Sequence, residues 1–202
     1  MDIIKEKIIS KALDLFTQIG VKVVTMDMIS SELGMSKKTL YEHFSSKEEL
    51  IKMTFSECLS GSMSDMECKI KNYQNIIHQI LLILENLSEM FLIKKDQITF
   101  QLEKFYPEIF HEILTAQQTF IKNLLKNNIS LGIDEGVYRA KINKKITADY
   151  IYLTIQLIMD KTKTDDTSSV QNQVNLNYSD LLIRSIATKK GVKELEKLVK
   201  IN

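Results

Sequence analysis

Between residues 25 and 47 the chain gathers side chains with which a protein can grip a polyanion. Lys37, Lys38, Thr39, Tyr41 and His43 fall within one short stretch, and Lys47 follows. Lysines neutralise phosphates and release their counterions, which supplies most sequence-independent affinity for a nucleic acid. Hydroxyls and ring hydrogen-bonding groups at the front of a helix can read base edges. A lysine pair taken alone is usually solvated surface, and a tyrosine or histidine taken alone usually packs. The spacing of the surrounding elements is what separates the two readings.

Those residues need short helices held by a turn. Apolar Ile4, Ile8, Ala12, Leu15, Phe16 and Ile19 recur at three- and four-residue steps, which predicts a helix over 2–19 that Gly20 stops. Thr25 can cap a second helix with Asp27 in its first turn and Ile29 and Leu33 inward. Gly34 suits a left-handed cap, and Ser36 can cap a third helix over 37–43 with Leu40 and Phe44 pointing inward. Ser46 and Glu49 have capping-box spacing for a fourth helix reaching about residue 71, with Gly61 as a weak point or bend. Two short helices joined by a glycine-containing turn, with another packed across them, make a helix-turn-helix, whose second helix enters the major groove. The amino ends of the second and fourth helices present free N–H groups suited to phosphate.

The run from Gly20 to Leu50, with Gly20, Thr25, Ile29, Gly34, Ser36, Thr39, Leu40-Tyr41, His43-Phe44, Lys47 and Leu50 as landmarks, resembles the amino-terminal signature of TetR-family regulators. Ser30 departs from it, standing where the family usually has alanine. The resemblance covers about the first quarter of the chain. It implies that Thr25 and Lys47 contact phosphate at two helix starts, with Ser36 both capping and donating. It further implies that Tyr41 and His43 press on the backbone, and that Lys37, Lys38 and Thr39 read or flank bases. Gly34, Leu40 and Phe44 would hold the motif together, and Glu42 would face away from phosphate. The implied fold is all-α: an amino-terminal three-helix helix-turn-helix DNA-binding domain over 1–48, then a helical ligand-binding and dimerisation domain over 49–202.

Composition agrees with long helices. One proline and six glycines in 202 residues leave few breaks or tight turns, and 44% hydrophobic residues suffice for a core. Further helices are expected at about 73–94, 97–104, 107–131, 144–161, 173–189 and 192–200, with loops over 132–143 and an exposed polar one over 161–172. The net charge of +1 neither favours nor excludes DNA, because a small patch does the binding. Cys58 and Cys68 lack metal-ligand spacing and read as free thiols suited to a reducing cytoplasm. The first residues lack a signal peptide's ordered blocks, and the most apolar run, Ile76 to Leu87, is too short to span a bilayer, so a cytoplasmic location is expected.

The resemblance also implies homodimerisation and a small-molecule pocket in the later helices. Candidate liners are Met90, Phe91, Phe100, Phe105, Tyr106, Phe110 and Phe120, with Glu103 facing a cationic ligand. Aromatic stripes more often pack cores, which is the bland alternative. For dimerisation, Ile151, Ile155 and Ile158 form one stripe and Leu181, Leu182 and Ile186 another, enough for a four-helix bundle and a near-palindromic operator. The expected function is a homodimeric repressor released from double-stranded operator DNA by a small molecule. A regulator or co-activator controlled by a protein partner is the alternative. A roomy cavity would favour the former, and a closed core with an exposed apolar patch the latter. An enzyme is not expected, since no acid, base, nucleophile, metal set or glycine-rich phosphate loop converges, and no cofactor is implied.

Overall fold

The computed structural model describes residues 2–93, 97–161 and 168–199, without the side chains of 88–93, 159–161, 168–176 and 199. The helices are α1 (Ile3–Ile19), α2 (Met26–Glu32), α3 (Lys37–His43), α4 (Lys47–Lys71), α5 (Ile76–Ile93), α6 (Gln97–Phe105), α7 (Pro107–Asp134), α8 (Lys144–Lys161), α9 (Ser168–Ile186) and α10 (Lys189–Val199). No strand occurs among the described residues; Tyr138 and Ala187 form one isolated antiparallel bridge.

Helix ends follow the capping chemistry. α5 starts at Ile76 rather than 73 because Asn75 Oδ1 accepts from the His78 N–H at 3.0 Å. α7 runs through Gly132 to Asp134 before Gly136 turns the chain at φ +72°, so the expected loop starts later. α9 begins at Ser168, inside the segment expected as a loop, whose residues 162–167 lie outside the described ones. α10 starts at Lys189, after Thr188 Oγ1 accepts from the Gly191 N–H at 3.3 Å. α4 continues through Gly61 without interruption.

The chain forms two compact units, Met1–Ser64 with Lys94–Gln117, and Asp65–Ile93 with Gln118–Asn202. This division differs from a single cut after residue 48. In the first unit Ile8, Ala12, Phe16, Ile29, Leu40 and Phe44 are buried together, and Leu102 of α6 joins them. Tyr106, Ile109 and Phe110 pack against the same cluster, so α6 and the start of α7 belong with the amino-terminal helices. Each fully buried isoleucine, leucine or phenylalanine among them contributes about 1.5–3 kcal/mol by leaving water.

The second unit packs α5 against α8, α9 and α10 and buries Ile77, Ile80, Leu84, Leu125, Ile151, Ile155, Ile183 and Leu195. A buried polar link crosses it: Asn128 Nδ2 donates to the Ile76 carbonyl at 3.0 Å, and the Tyr138 hydroxyl donates to Asn128 Oδ1 at 3.0 Å. Burial raises the Tyr138 hydroxyl well above the usual tyrosine range, so it stays protonated and donates.

The stripes expected to dimerise need correction here. Ile151 and Ile155 are 0% and 1% exposed, Leu182 and Ile186 are buried, and Ile158 packs against the core. A helix spends its most apolar stripe on its own core first. Among the described side chains, the large apolar ones turned outward are Ile146, Tyr150, Leu153 and Leu157 on α8 and Tyr178 and Leu181 on α9. Of the expected set only Leu181, 62% exposed, lies on that outer face.

Candidate nucleic-acid interface

The turn between α2 and α3 is built by its own backbone. Gly34 takes φ +63°, its N–H bonds the Ser31 carbonyl at 3.1 Å, and the Met35 N–H bonds the Ser30 carbonyl at 3.0 Å. Any side chain at Gly34 would be strained by that φ although the space around it is open. Thr25 Oγ1 caps α2, accepting from Met28 N–H at 3.2 Å, and Ser36 Oγ caps α3, accepting from Thr39 N–H at 3.1 Å. The Ser36 and Thr39 hydroxyls also lie 2.8 Å apart. Leu40 and Phe44 are buried, which fixes the opposite face of α3 toward solvent. That face carries Lys37, Lys38, Tyr41 and Glu42, all exposed, with Thr39 half-buried beside them.

At the start of α4 the expected capping box is altered. Ser46 Oγ accepts from the Glu49 N–H at 3.1 Å, but the Glu49 carboxylate reaches past Ser46 to the Ser45 N–H at 2.7 Å and the Ser45 hydroxyl at 2.6 Å. Those bonds hold its carboxyl below the usual glutamate range.

The expected contact residues therefore separate. Thr25, Ser36, Lys37, Lys38, Thr39 and Tyr41 stand together on or beside the exposed side of the two short helices. His43 is 18% exposed in its side chain, with Nδ1 3.6 Å from the Asp2 carboxylate, so it links the end of α3 to the start of α1. The Lys47 ammonium donates to the Lys22 carbonyl at 3.2 Å and lies 5.9 Å from the Tyr106 ring centroid. Partial burial there pushes its pKa below the usual lysine range. Lys37 is 2.5 Å from the Asp27 carboxylate, with both side chains about 60% exposed. In the sequence Asp27 shows only as an acid in the first turn of α2. Its pairing with a residue across the turn has no local signature in the sequence.

The expected ligand liners are also dispersed. Phe100, Glu103 and Phe105 are exposed on α6, and Tyr106 and Phe110 pack on the first core. Phe120 packs on the second, while Met90 and Phe91 have side chains outside the described residues. The Lys22 ammonium covers the Phe105 ring at 4.2 Å from its centroid. A cleft of ≈ 230 Å³ in the first unit lies instead between α4 and α7, lined by Ser56, Leu59, Ser60, Met63, Glu112, Ile113 and Ala116.

A glycine-turned pair of capped short helices, with cations and hydroxyls on the open side of the second, defines a helix-turn-helix DNA-binding regulator. Residues 8–53 match the model of the bacterial regulatory proteins of the tetR family. Over these residues the chain is similar to the TetR family of transcriptional regulators. It is 27% identical over 167 residues, 79% of this chain and 84% of the relative, to the uncharacterized HTH-type transcriptional regulator YhgD of Bacillus subtilis. It is 26% identical over 126 residues, 60% of this chain and 68% of the relative, to IcaR of Staphylococcus aureus, the negative transcriptional regulator of the biofilm operon icaADBC. Among solved structures, a transcriptional regulator from Cytophaga hutchinsonii shares the fold with a TM-score of 0.73 at 20% identity, covering 91% of this chain and 98% of that one. FadR of Bacillus subtilis, solved in complex with stearoyl-CoA, matches with a TM-score of 0.60 at 19% identity, covering 90% and 98%. No described helix is long and apolar enough to cross a membrane.

Proposed function

We propose that this regulator is a homodimeric repressor that holds a near-palindromic operator and leaves it when a small molecule binds. The observation that carries the dimer is the outward apolar face of α8 and α9, where Tyr150, Leu153, Leu157, Tyr178 and Leu181 remain exposed on the single chain. Helical residues 150, 153 and 157 share one side of α8, as 178 and 181 share one side of α9, so these are faces rather than scattered apolar side chains. A two-fold pairing through them would present α3 twice, which a palindromic site would match. Repression is supported by the negative sign of IcaR. The α4–α7 cleft is the place in the first unit where an effector could bear on α4, the helix that follows α3.

Control by a protein partner is favoured by the same exposed face if the chain stays monomeric. Analytical ultracentrifugation separates the two: a dimer at micromolar concentration supports the first reading, and a monomer supports the second. Selection of bound sequences from random duplex DNA tests the operator. A palindromic motif released by a compound from a metabolite screen is expected, and a dimer that no compound dislodges would refute the ligand-release step. Antagonism must be reciprocal, so bound DNA must weaken the effector by the same factor.

A further inference from the structure

We propose that Asp27 and Lys37 together form a reading head for one base pair, and that Asp27 is a specificity-determining residue. The inference rests on α3 being the groove helix. Lys37 opens α3, the part of a recognition helix that meets base edges, and the Asp27 carboxylate stands 2.5 Å from its ammonium. A bare carboxylate on a DNA-facing surface would repel phosphate. This one is paired with Lys37, and both side chains remain about 60% exposed, so the pair stands on the open surface.

The pair thereby presents a donor and an acceptor side by side. Every base pair shows in the major groove one keto oxygen next to one amino group: G O6 beside C N4, or T O4 beside A N6. An ammonium set over the keto oxygen and a carboxylate under the amino group satisfy both at once. In the reverse orientation the ammonium meets an amino group and the carboxylate meets a keto oxygen, two like-pole clashes. The head therefore fixes the orientation of the pair. Between the two pairs that remain, guanine offers N7 as well as O6 to a lysine, while thymine offers a methyl group near its O4. The expected selection is a G·C pair with guanine toward Lys37 and cytosine toward Asp27, once in each half-site.

The test is sequence selection from random duplex DNA with the full chain, followed by affinity measurements on single-base variants of the selected site. The wild type should select G·C at one symmetric position. Asp27→Ala and Lys37→Ala should both lose discrimination at that same position, by about ten- to a hundredfold, and keep the remaining motif. Asp27→Asn preserves a polar side chain at the start of α2. It should lose the G·C preference there too, which separates readout from a folding defect when circular dichroism and melting match the wild type. Uniformly tighter binding of Asp27→Ala to all sequences, with a steeper salt dependence, would mean that Asp27 only competes with phosphate for Lys37 and would overturn the proposal. An unchanged motif, or loss at different positions in the two variants, would overturn it as well. Failure of the wild type to select any motif would instead remove the operator reading on which it stands.

Discussion

The side-chain amide of Gln101 lies where a β-carbon on Gly20 would have to go: an ideal Cβ there would stand 2.7 Å from Nε2 and 2.8 Å from Oε1. Gln101 Oε1 also accepts from the Lys22 N–H at 3.0 Å, so α6 is hydrogen-bonded to the turn that leads into α2. Gly20 itself sits at φ +96°, a region closed to most L side chains. Gly20→Ala should cost about 1–3 kcal/mol through backbone strain, since the Gln101 amide can swing away but the dihedral cannot relax. Gln101→Ala should cost about 0.5–1.5 kcal/mol through the lost bond to Lys22. In a urea-unfolding cycle the double variant should fall short of the sum, because Gly20→Ala already displaces the amide. Strict additivity would show that the two side chains do not share that space.

A second close approach is less forgiving. A β-carbon on Gly132 would collide with Cδ2 of Tyr138, a ring that is buried and tied by its hydroxyl to Asn128. Gly132→Ala must push a locked aromatic ring, and a loss of about 1–3 kcal/mol or more is expected. Tyr138→Phe leaves Asn128 Oδ1 buried without its donor and should cost about 1–3 kcal/mol. Thermal unfolding measures both, and a wild-type melting temperature for Gly132→Ala would contradict the packing described.

The acid side of the stability curve has two identified contributors. A hydrogen bond from Lys122, 2.9 Å away, lowers the Asp149 carboxyl, and the bonds to Ser45 lower Glu49. Both carboxyls therefore ionise more readily folded than unfolded. Their contribution is present above the unfolded values of about 4 and is lost as pH falls through the lower folded values. Urea midpoints should hold above about pH 5 and decline below about pH 4, and Asp149→Asn with Glu49→Gln should flatten that decline. An equally steep decline in the double variant would assign it to other groups.

Most of the helix-turn-helix was legible in the sequence because its determinants are local. Thr25, Gly34 and Ser36 act within three or four residues of themselves, and their caps and turn form as their types predict. What stayed hidden depends on which faces meet. The apolar stripe Ile151 and Ile155 looks the same in sequence whether it packs inward or against a partner, and the second core claims it. His43 and Asp2, Lys37 and Asp27, and Gln101 and Lys22 are paired only by tertiary packing, so no spacing rule reveals them. The aromatic residues of α6 carried no signal that tells a pocket wall from a surface covered by Lys22 and Lys104.

Lys38 and Lys47 should behave differently despite sharing one expected role. Lys38 is exposed on α3 and makes no ion pair among the described residues. Lys38→Ala should weaken operator binding at all sequences and lower the slope of log K against log salt by about 0.9 if it meets one phosphate. Lys47 is already engaged with the Lys22 carbonyl and the Tyr106 ring, so Lys47→Ala should lower the unfolding midpoint as well as affinity. Fluorescence anisotropy across a salt series, run beside urea melts, distinguishes them. A full phosphate's slope lost at Lys47 with no change in stability would show that it lets go of Lys22 on DNA at no cost to the fold.

The outward faces of α8 and α9 give the sharpest test of assembly, because neighbouring positions on one helix should fail in different ways. Leu153 is 56% exposed, whereas Ile155, two residues on, is buried in the second core. Leu153→Lys, alone or with Leu181→Lys, should leave circular dichroism and melting of the chain near normal while shifting sedimentation from dimer to monomer. Ile155→Lys should unfold the second unit, since an unpaired ammonium cannot be accommodated in an apolar core. A folded monomer made by Leu153→Lys would hold one α3 and lose the linkage between half-sites, so its affinity for the full operator should fall at least tenfold, an effect of about 1.4 kcal/mol or more. If Leu153→Lys remains a dimer that binds the operator as the wild type does, the pairing surface is not this face, and the exposed leucines are left for another partner.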